Sequence, residues 1–359
     1  MPYQSRWKVD IPSCSLPTFL FGEPGTEVSL PDKRFLSEAD RPDTHYLTRA
    51  QYKLWAQRFA TGLTRSKEFK KGDRILLFAS NDLFVPVVFM GTLLAGGIFS
   101  GANPTYTARE LAHQLRDSGA TYLLCSDKTV ETGIEAAKLA NVSQDRVHVY
   151  NSAVYDGPNA EGTQSLKGCK YWGDLVASAE ESKDFAWDNL TGPGESNKTL
   201  ALNYSSGTTG VPKGVEITHL NYVSNTLQVH QLATLHSDWR ERQERARWLC
   251  FLPMYHAYGQ TYFIANSFYR AIPVYIMPKF DFVQLLEHIQ KFKITSLTLV
   301  PPIAVALAKH PAVKNYDLSS VQEMGCGAAP LGRDVSQQVE NIMKGRVNMK
   351  QGWGMTEYV

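Results

Sequence analysis

An α/β protein with mostly parallel sheets covered by helices is the fold class this sequence predicts, on three observations. Strand-like and helix-like segments alternate over most of the chain, which implies repeated βα units. A chain of 359 residues exceeds the size at which one hydrophobic core keeps growing, so two or more lobes are expected. The composition, 43% hydrophobic and 20% charged, is that of an ordinary globular protein.

The alternation begins with a strand at Asp73-Arg-Ile-Leu-Leu-Phe-Ala79, a helix from Asp82 to Ala95 and a short strand at Gly97-Ile-Phe-Ser100. The span from Phe84 to Phe99 is the most hydrophobic in the chain. Pro86, Gly91, Gly96 and Gly97 interrupt it, and it is too short to cross a bilayer, so a buried helix running into a strand is expected. Thr107 caps a helix reaching Ser118, with Glu110 three residues on and Leu111, Ala112 and Leu115 sharing a face. Strands at 121–125 and 146–150 flank a helix near 128–140. Residues 151–198 read as an irregular connection with a short helix near 172–179. Strands at 198–203 and 214–218 follow, then a helix from His219 to Leu235. Beyond it come strands at 248–252, 272–277, 294–300, 321–325 and 347–350. They alternate with helices at 259–269, 281–291, 302–309 and 332–343. In sheets of this kind ligands lie at the carboxyl ends of strands.

Bulk properties narrow the function classes. A net charge of +2 without a long Lys/Arg block gives no nucleic-acid footprint. Five scattered cysteines with no Cys-x-x-Cys pair speak for a reducing compartment and against a disulfide framework or zinc site. The first ten residues lack the apolar core of a signal peptide, so an intracellular location is expected.

The most informative segment is Tyr204-Ser205-Ser206-Gly207-Thr208-Thr209-Gly210-Val211-Pro212-Lys213-Gly214. Glycines let a backbone approach an anion closely, serine and threonine hydroxyls add donors, and Lys213 adds a point charge. Such a loop between two strands suits the oxygens of a polyphosphate; the bland alternative is a glycine-rich hairpin that binds nothing. It is not a Walker loop, because Pro212 stands five places beyond Gly207 and Lys213 is followed by Gly214 and a β-prone run.

Further motifs fall where strands end. Leu252-Pro-Met-Tyr-His-Ala-Tyr-Gly259 places His256 between Tyr255 and Tyr258, although a lone histidine is more often a packed core residue. Pro301-Pro302 breaks a strand and starts a helix. Gly325-Cys-Gly-Ala-Ala-Pro-Leu-Gly332 offers a side-chain-poor backbone on which a planar ring could lie, or else a tight turn packed on a helix. Pro330 excludes a Rossmann fingerprint there. In Gln351-Gly-Trp-Gly-Met-Thr-Glu357 the glycines bracket Trp353, Thr356 can donate to a phosphate, and Glu357 is a hard oxygen ligand suited to Mg²⁺.

Together these segments resemble the adenylate-forming superfamily, which includes acyl-CoA synthetases, 4-coumarate–CoA ligases and luciferase. The match to Ser-Ser-Gly-Thr-Thr-Gly-x-Pro-Lys-Gly is highly specific, and Asn103 to Leu115 is a supporting match to the 4-coumarate–CoA ligase branch that looks architectural. The resemblance runs from about residue 45 to the end. It implies the large N-terminal domain of those enzymes, with approximate subdomains 45–200 and 201–359, cut short after Glu357 and without their C-terminal domain. The ribose-gripping acidic segment and the C-terminal adenylating lysine of the family would then lie beyond Val359.

The activity implied is ATP-dependent formation of an acyl-adenylate and acyl transfer to coenzyme A, with Mg²⁺ and a small carboxylic acid as further partners. The absence of an acidic residue among 252–259 favours an aryl or fatty acid over an amino acid. The resemblance assigns catalysis to Lys213, His256, Thr356 and Glu357, the last also as the metal ligand. Nucleotide binding goes to Ser205, Ser206, Gly207, Thr208, Thr209, Gly210 and Lys213. It also goes to Gly327, Ala328, Ala329 and Pro330, and to Gly352, Trp353, Gly354, Met355 and Thr356. The acid would meet His256, Tyr258, Ile303, Gly325 and Gly352. Tyrosine is commoner in the family where Trp353 stands, which keeps a stacking face but loses a hydroxyl. Two alternatives stay open: a non-catalytic ATP- or acyl-binding remnant, and an adenylating enzyme with another acceptor, a carrier protein or oxygen. A cytoplasmic or peroxisomal location is expected.

Overall fold

The architecture is seen in a computed structural model that describes residues 5, 7–26, 30–66, 68–205 and 211–358. Two sheets of seven strands each carry it. In the first, the order is β7 (Lys170–Tyr171), β6 (Val147–Tyr150), β5 (Tyr122–Ser126), β3 (Arg74–Phe78), β4 (Ile98–Gly101), β8 (Thr199–Ser205) and β9 (Lys213–Thr218). In the second it is β14 (Met349–Gln351), β13 (Glu323–Cys326), β12 (Ser296–Leu299), β10 (Trp248–Cys250), β11 (Val274–Ile276), β1 (Arg34–Glu38) and β2 (Tyr46–Thr48). Neighbouring strands run parallel except in the edge pairs β8–β9 and β1–β2. The expected α/β fold with mostly parallel sheets is what the chain forms.

The sheets do not divide at residue 200. The β8–β9 pair belongs to the first sheet, and β1 and β2, which precede all the strands read from the sequence, complete the second by pairing with β11. A single buried apolar cluster, from Leu16 to Met349, runs through both sheets and their helices. The Val85–Leu94 helix is buried over its whole length, as its uniformly apolar sequence demands. Thr48 starts a helix over Arg49–Arg65 through a capping box with Gln51. The expected Thr107–Glu110 box likewise starts the Ala108–Ser118 helix. The helix expected over 259–269 is instead interrupted by a π-helical turn at Thr261–Asn266. There Asn266 Nδ2 donates to the Thr261 carbonyl at 2.9 Å, giving the widened turn a partner for one of its backbone acceptors. All five cysteines are buried and unpaired. Among the described residues no helix is long and apolar enough to cross a membrane.

Candidate active site

The strand ends of the two sheets meet across a cavity of about 170 Å³ lined by Gly101, Asn103, Tyr106, Asn203, Tyr204, Tyr255, His256, Ala257 and Thr356. It gathers side chains from four of the motifs. The close approach of the two halves is visible at Gly101, where a β-carbon would come within 2.7 Å of Tyr255 Cα. Only glycine at the end of β4 lets the loop after β10 lie so near.

One wall is the β8–β9 hairpin. Ser205 and Lys213 face each other in its last register pair, so they are the two posts from which the loop between them springs. Ser206, Gly207, Thr208, Thr209 and Gly210 lie outside the described residues. Lys213 is exposed. The Pro212 carbonyl lies 3.1 Å from His113 Nε2, on the Ala108–Ser118 helix. Tyr204 O–H donates to Asp117 of the same helix at 2.6 Å. Burial, reinforced by that carboxylate, pushes the Tyr204 phenol far above its ordinary value, so it stays a donor.

His256 comes from the segment after β10. Asn81, just after β3, anchors that segment: its amide donates to the Leu252 carbonyl at 2.9 Å and accepts from the Met254 N–H at 2.8 Å. His256 then caps the Ala257–Gln260 turn, its Nδ1 accepting the Tyr258 N–H at 3.2 Å. An acceptor Nδ1 leaves the proton on Nε2 in the neutral ring. Desolvation by the surrounding atoms lowers the imidazole pKa, although the residue keeps solvent access at the cavity mouth. His256 is therefore built as a neutral donor.

The third contributor is the turn at Thr356–Tyr358, which packs against both β8 and β9. Thr356 is buried on the cavity wall and Glu357 beside it is exposed. The hairpin before Lys213 and the end of the Gln351–Glu357 motif thus share one cleft.

The remaining predicted residues lie outside this cavity. Cys326 and Gln351 pair between β13 and β14, Gly352 N–H donates to the Cys326 carbonyl at 2.9 Å, and Leu331 N–H donates to the Gln351 side chain at 3.1 Å. These bonds bring the Gly325–Gly332 and Gln351–Glu357 segments side by side. Gly327 is buried, and its missing β-carbon would stand 3.4 Å from the Tyr258 hydroxyl oxygen. Ala328 is held at φ +69°, a left-handed conformation that a side-chain-bearing residue adopts at a cost and that often marks a functional turn. Ala329, Pro330, Trp353, Gly354 and Met355 are exposed, Trp353 by 78%. β-carbons at Gly325, Gly352 and Gly354 would meet nothing within 4 Å, so these glycines border open space rather than a tight contact. Ile303 is largely buried in the Pro301–Lys309 helix.

Sequence reasoning treated Asn103 and Tyr106 as architectural, and it missed Gly101, Asn203, Tyr204, Tyr255 and Ala257 as cavity residues. Tyr204, Tyr255 and Ala257 stand inside the motifs without a role of their own assigned there, while Gly101 and Asn203 carry only their positions near strand ends.

Residues 28–359 match the AMP-binding enzyme family. The chain belongs to that family. This AMP-binding enzyme is 32% identical to 4-coumarate–CoA ligase 3 of Arabidopsis thaliana over 309 residues, covering 85% of this chain and 50% of that protein. It is 27% identical to a phenylacetyl-CoA ligase of Aspergillus niger, covering 99% of this chain and 63% of that protein. The chain spans about half the length of several of the ligases it matches. In fold it resembles a luciferase-like enzyme from the mealworm Zophobas morio, with a TM-score of 0.78 at 18% identity, covering 98% of this chain and 74% of that one. A long-chain-fatty-acid–CoA ligase from Archaeoglobus fulgidus gives 0.76 at 21% identity, covering 99% and 67%.

Proposed function

We propose that this AMP-binding enzyme activates an aryl or fatty acid with ATP as an acyl-adenylate and passes the acyl group to coenzyme A. One observation carries the reading: Tyr204 beside the hydroxyl-rich loop, His256 and Thr356 converge on a single cavity in a chain of this family. The ligase names of its relatives support the same reaction class.

A carboxylate is a poor electrophile because its leaving group would be oxide; attack of its oxygen on the α-phosphorus of ATP releases pyrophosphate and leaves a mixed anhydride. Two like unit charges about 4 Å apart repel by roughly 1 kcal/mol in water and several times more in a drier site. In this reading Lys213, the hydroxyls of Ser205, Ser206, Thr208 and Thr209 and the backbone at Gly207 and Gly210 hold the triphosphate and offset that repulsion. Thr356 donates to a phosphate oxygen. His256 offers its Nε2–H to the acid, orienting it without moving a proton. Gly327, Ala328, Ala329 and Pro330, with Gly352, Trp353, Gly354 and Met355 alongside, form the surface for the adenine. Tyr258, Ile303, Gly325 and Gly352 border the acyl chain.

Among the described residues no group of three or more metal-ligating side chains exists, so no protein cage for a cation is built. That fits Mg²⁺, which commonly takes one or two carboxylates and completes its shell with phosphates and water. Glu357, exposed beside Thr356, is the carboxylate we assign to it. When bound, Mg²⁺ neutralises phosphate charge.

Acid-dependent ATP–pyrophosphate exchange, run with a panel of aryl and fatty acids, tests the reading. Exchange that requires the acid, and a thioester once coenzyme A is added, are the expected results. ATP affinity without exchange would leave a nucleotide-binding protein instead, and exchange without a thioester would point to another acyl acceptor.

A further inference from the structure

Behind the cavity lies a closed set of hydrogen bonds centred on Gln260, a residue with no exposed surface. Its Nε2 donates to the Tyr255 carbonyl at 3.3 Å, and its Oε1 accepts from Asn203 Nδ2 at 3.0 Å and from the Tyr222 hydroxyl. Its backbone N–H donates to the His256 carbonyl at 3.0 Å. The first of these bonds fixes the others. A backbone carbonyl only accepts, so the amide nitrogen of Gln260 must face Tyr255 and its oxygen must face Asn203. Asn203 therefore turns its own nitrogen toward Gln260, and its Oδ1 points away.

Among the described residues that oxygen has no hydrogen-bond partner, although Asn203 is only 2% exposed and lines the cavity. A buried amide oxygen left without a donor is destabilising, so such an atom calls for a partner. Phosphate and carboxylate oxygens cannot satisfy it; a neutral N–H or O–H group can.

We propose that Asn203 is a ligand-binding residue of this cavity, its amide oxygen accepting from an amide, amino or hydroxyl group of a bound reactant, with Gln260 the positioning residue that holds it in that orientation. The proposal rests on the adenylation reading, since the reactants considered are those of that reaction. Thr356 would face the anionic part of a bound reactant, and Asn203 its neutral donor-bearing part. ATP, coenzyme A and a hydroxylated aryl acid all carry such donors.

Calorimetric titration of the 359-residue chain with MgATP, with coenzyme A and with 4-coumarate separates the three sources. Asn203→Leu keeps Gln260 Oε1 satisfied by Tyr222, so the thermal midpoint should move little. The expected result is a loss of about tenfold in affinity for one ligand and less than about twofold for the others. The double variant Tyr222→Phe/Gln260→Met removes the positioning contacts while keeping apolar volume, and it should weaken the same ligand about three- to tenfold. Equal losses for all three ligands would mean a structural role, and no loss for any would mean that the oxygen meets only water; either result overturns the proposal. Selective loss in Asn203→Leu without any in the double variant removes the role given to Gln260. A wild-type chain that binds none of the three ligands rejects the adenylation reading itself, and this inference with it.

Discussion

The two regions that flank the cavity are built differently. On the hairpin side Asn203, Tyr222 and Gln260 are buried and joined by hydrogen bonds, Tyr204 is tied to Asp117, and Gly259 is so crowded that a β-carbon would fall 2.2 Å from the Pro253 carbonyl oxygen. On the side of β13 and β14 the backbone is open: Gly325, Gly352 and Gly354 have free space where side chains would stand, and Trp353 is largely exposed. The contrast teaches that one region is preorganised by the protein while the other has room that a flat ligand would fill. In the proposed reading, polar recognition falls to the first region and stacking area to the second.

Substituting across this contrast gives graded outcomes. Gly259→Ala should be the most damaging, costing about 1–3 kcal/mol, toward the upper end, by overpacking against backbone. An unchanged urea midpoint would show that the crowded region gives way.

Acid titration gives an effect of similar size. His219 Nδ1 accepts the Leu16 N–H, and burial lowers its pKa to about 4. Between its unfolded pKa of about 6.5 and that value the unfolded chain binds the proton first, so this contribution to stability is lost as pH falls. Asp82, bonded to the Phe84 N–H and the Tyr150 hydroxyl, is raised by burial to about 6. Its folded form binds the proton first between about 6 and 4, so its contribution to stability grows as pH falls. The two oppose each other, each by about 3 kcal/mol. Asp82→Asn should therefore make stability fall more steeply between pH 6.5 and 4 than in the wild type; parallel curves in urea denaturation would refute the pairing.

Lys213→Ala should lower ATP affinity or exchange by about tenfold to a hundredfold, the range for losing one hydrogen bond to a charged group. It should leave folding unaffected, because the residue is exposed. Gly354→Ala should be mildest, within about 0.5 kcal/mol in stability. A measurable loss of ATP affinity in that variant would show that the open region closes on the nucleotide.

How far the sequence foretold this molecule depended on the range of the interactions involved. Strands β3 to β6 and the capped Ala108–Ser118 helix were legible because period, capping and apolar runs are local signals. β2 escaped because it is short, and β1 because it owes its place in the sheet to β11, more than two hundred residues later. The π-helical turn escaped because a side chain, Asn266, supplies the partner that its backbone geometry needs. At the site, motif chemistry found His256 and Thr356, whose residue types are distinctive. Asn203 was invisible, since its role comes from which atom of a neighbouring amide faces it.

The pairing of β1 with β11 also sets an order of events during synthesis. The strands of the first sheet, including β9, have all been made by residue 218, so that sheet can assemble while the rest of the chain is still being translated. β1 can pair with β2 almost at once, but its other edge must wait until residue 276 leaves the ribosome. A strand edge left open that long is a natural target for a chaperone, and it is where premature association between nascent chains would begin.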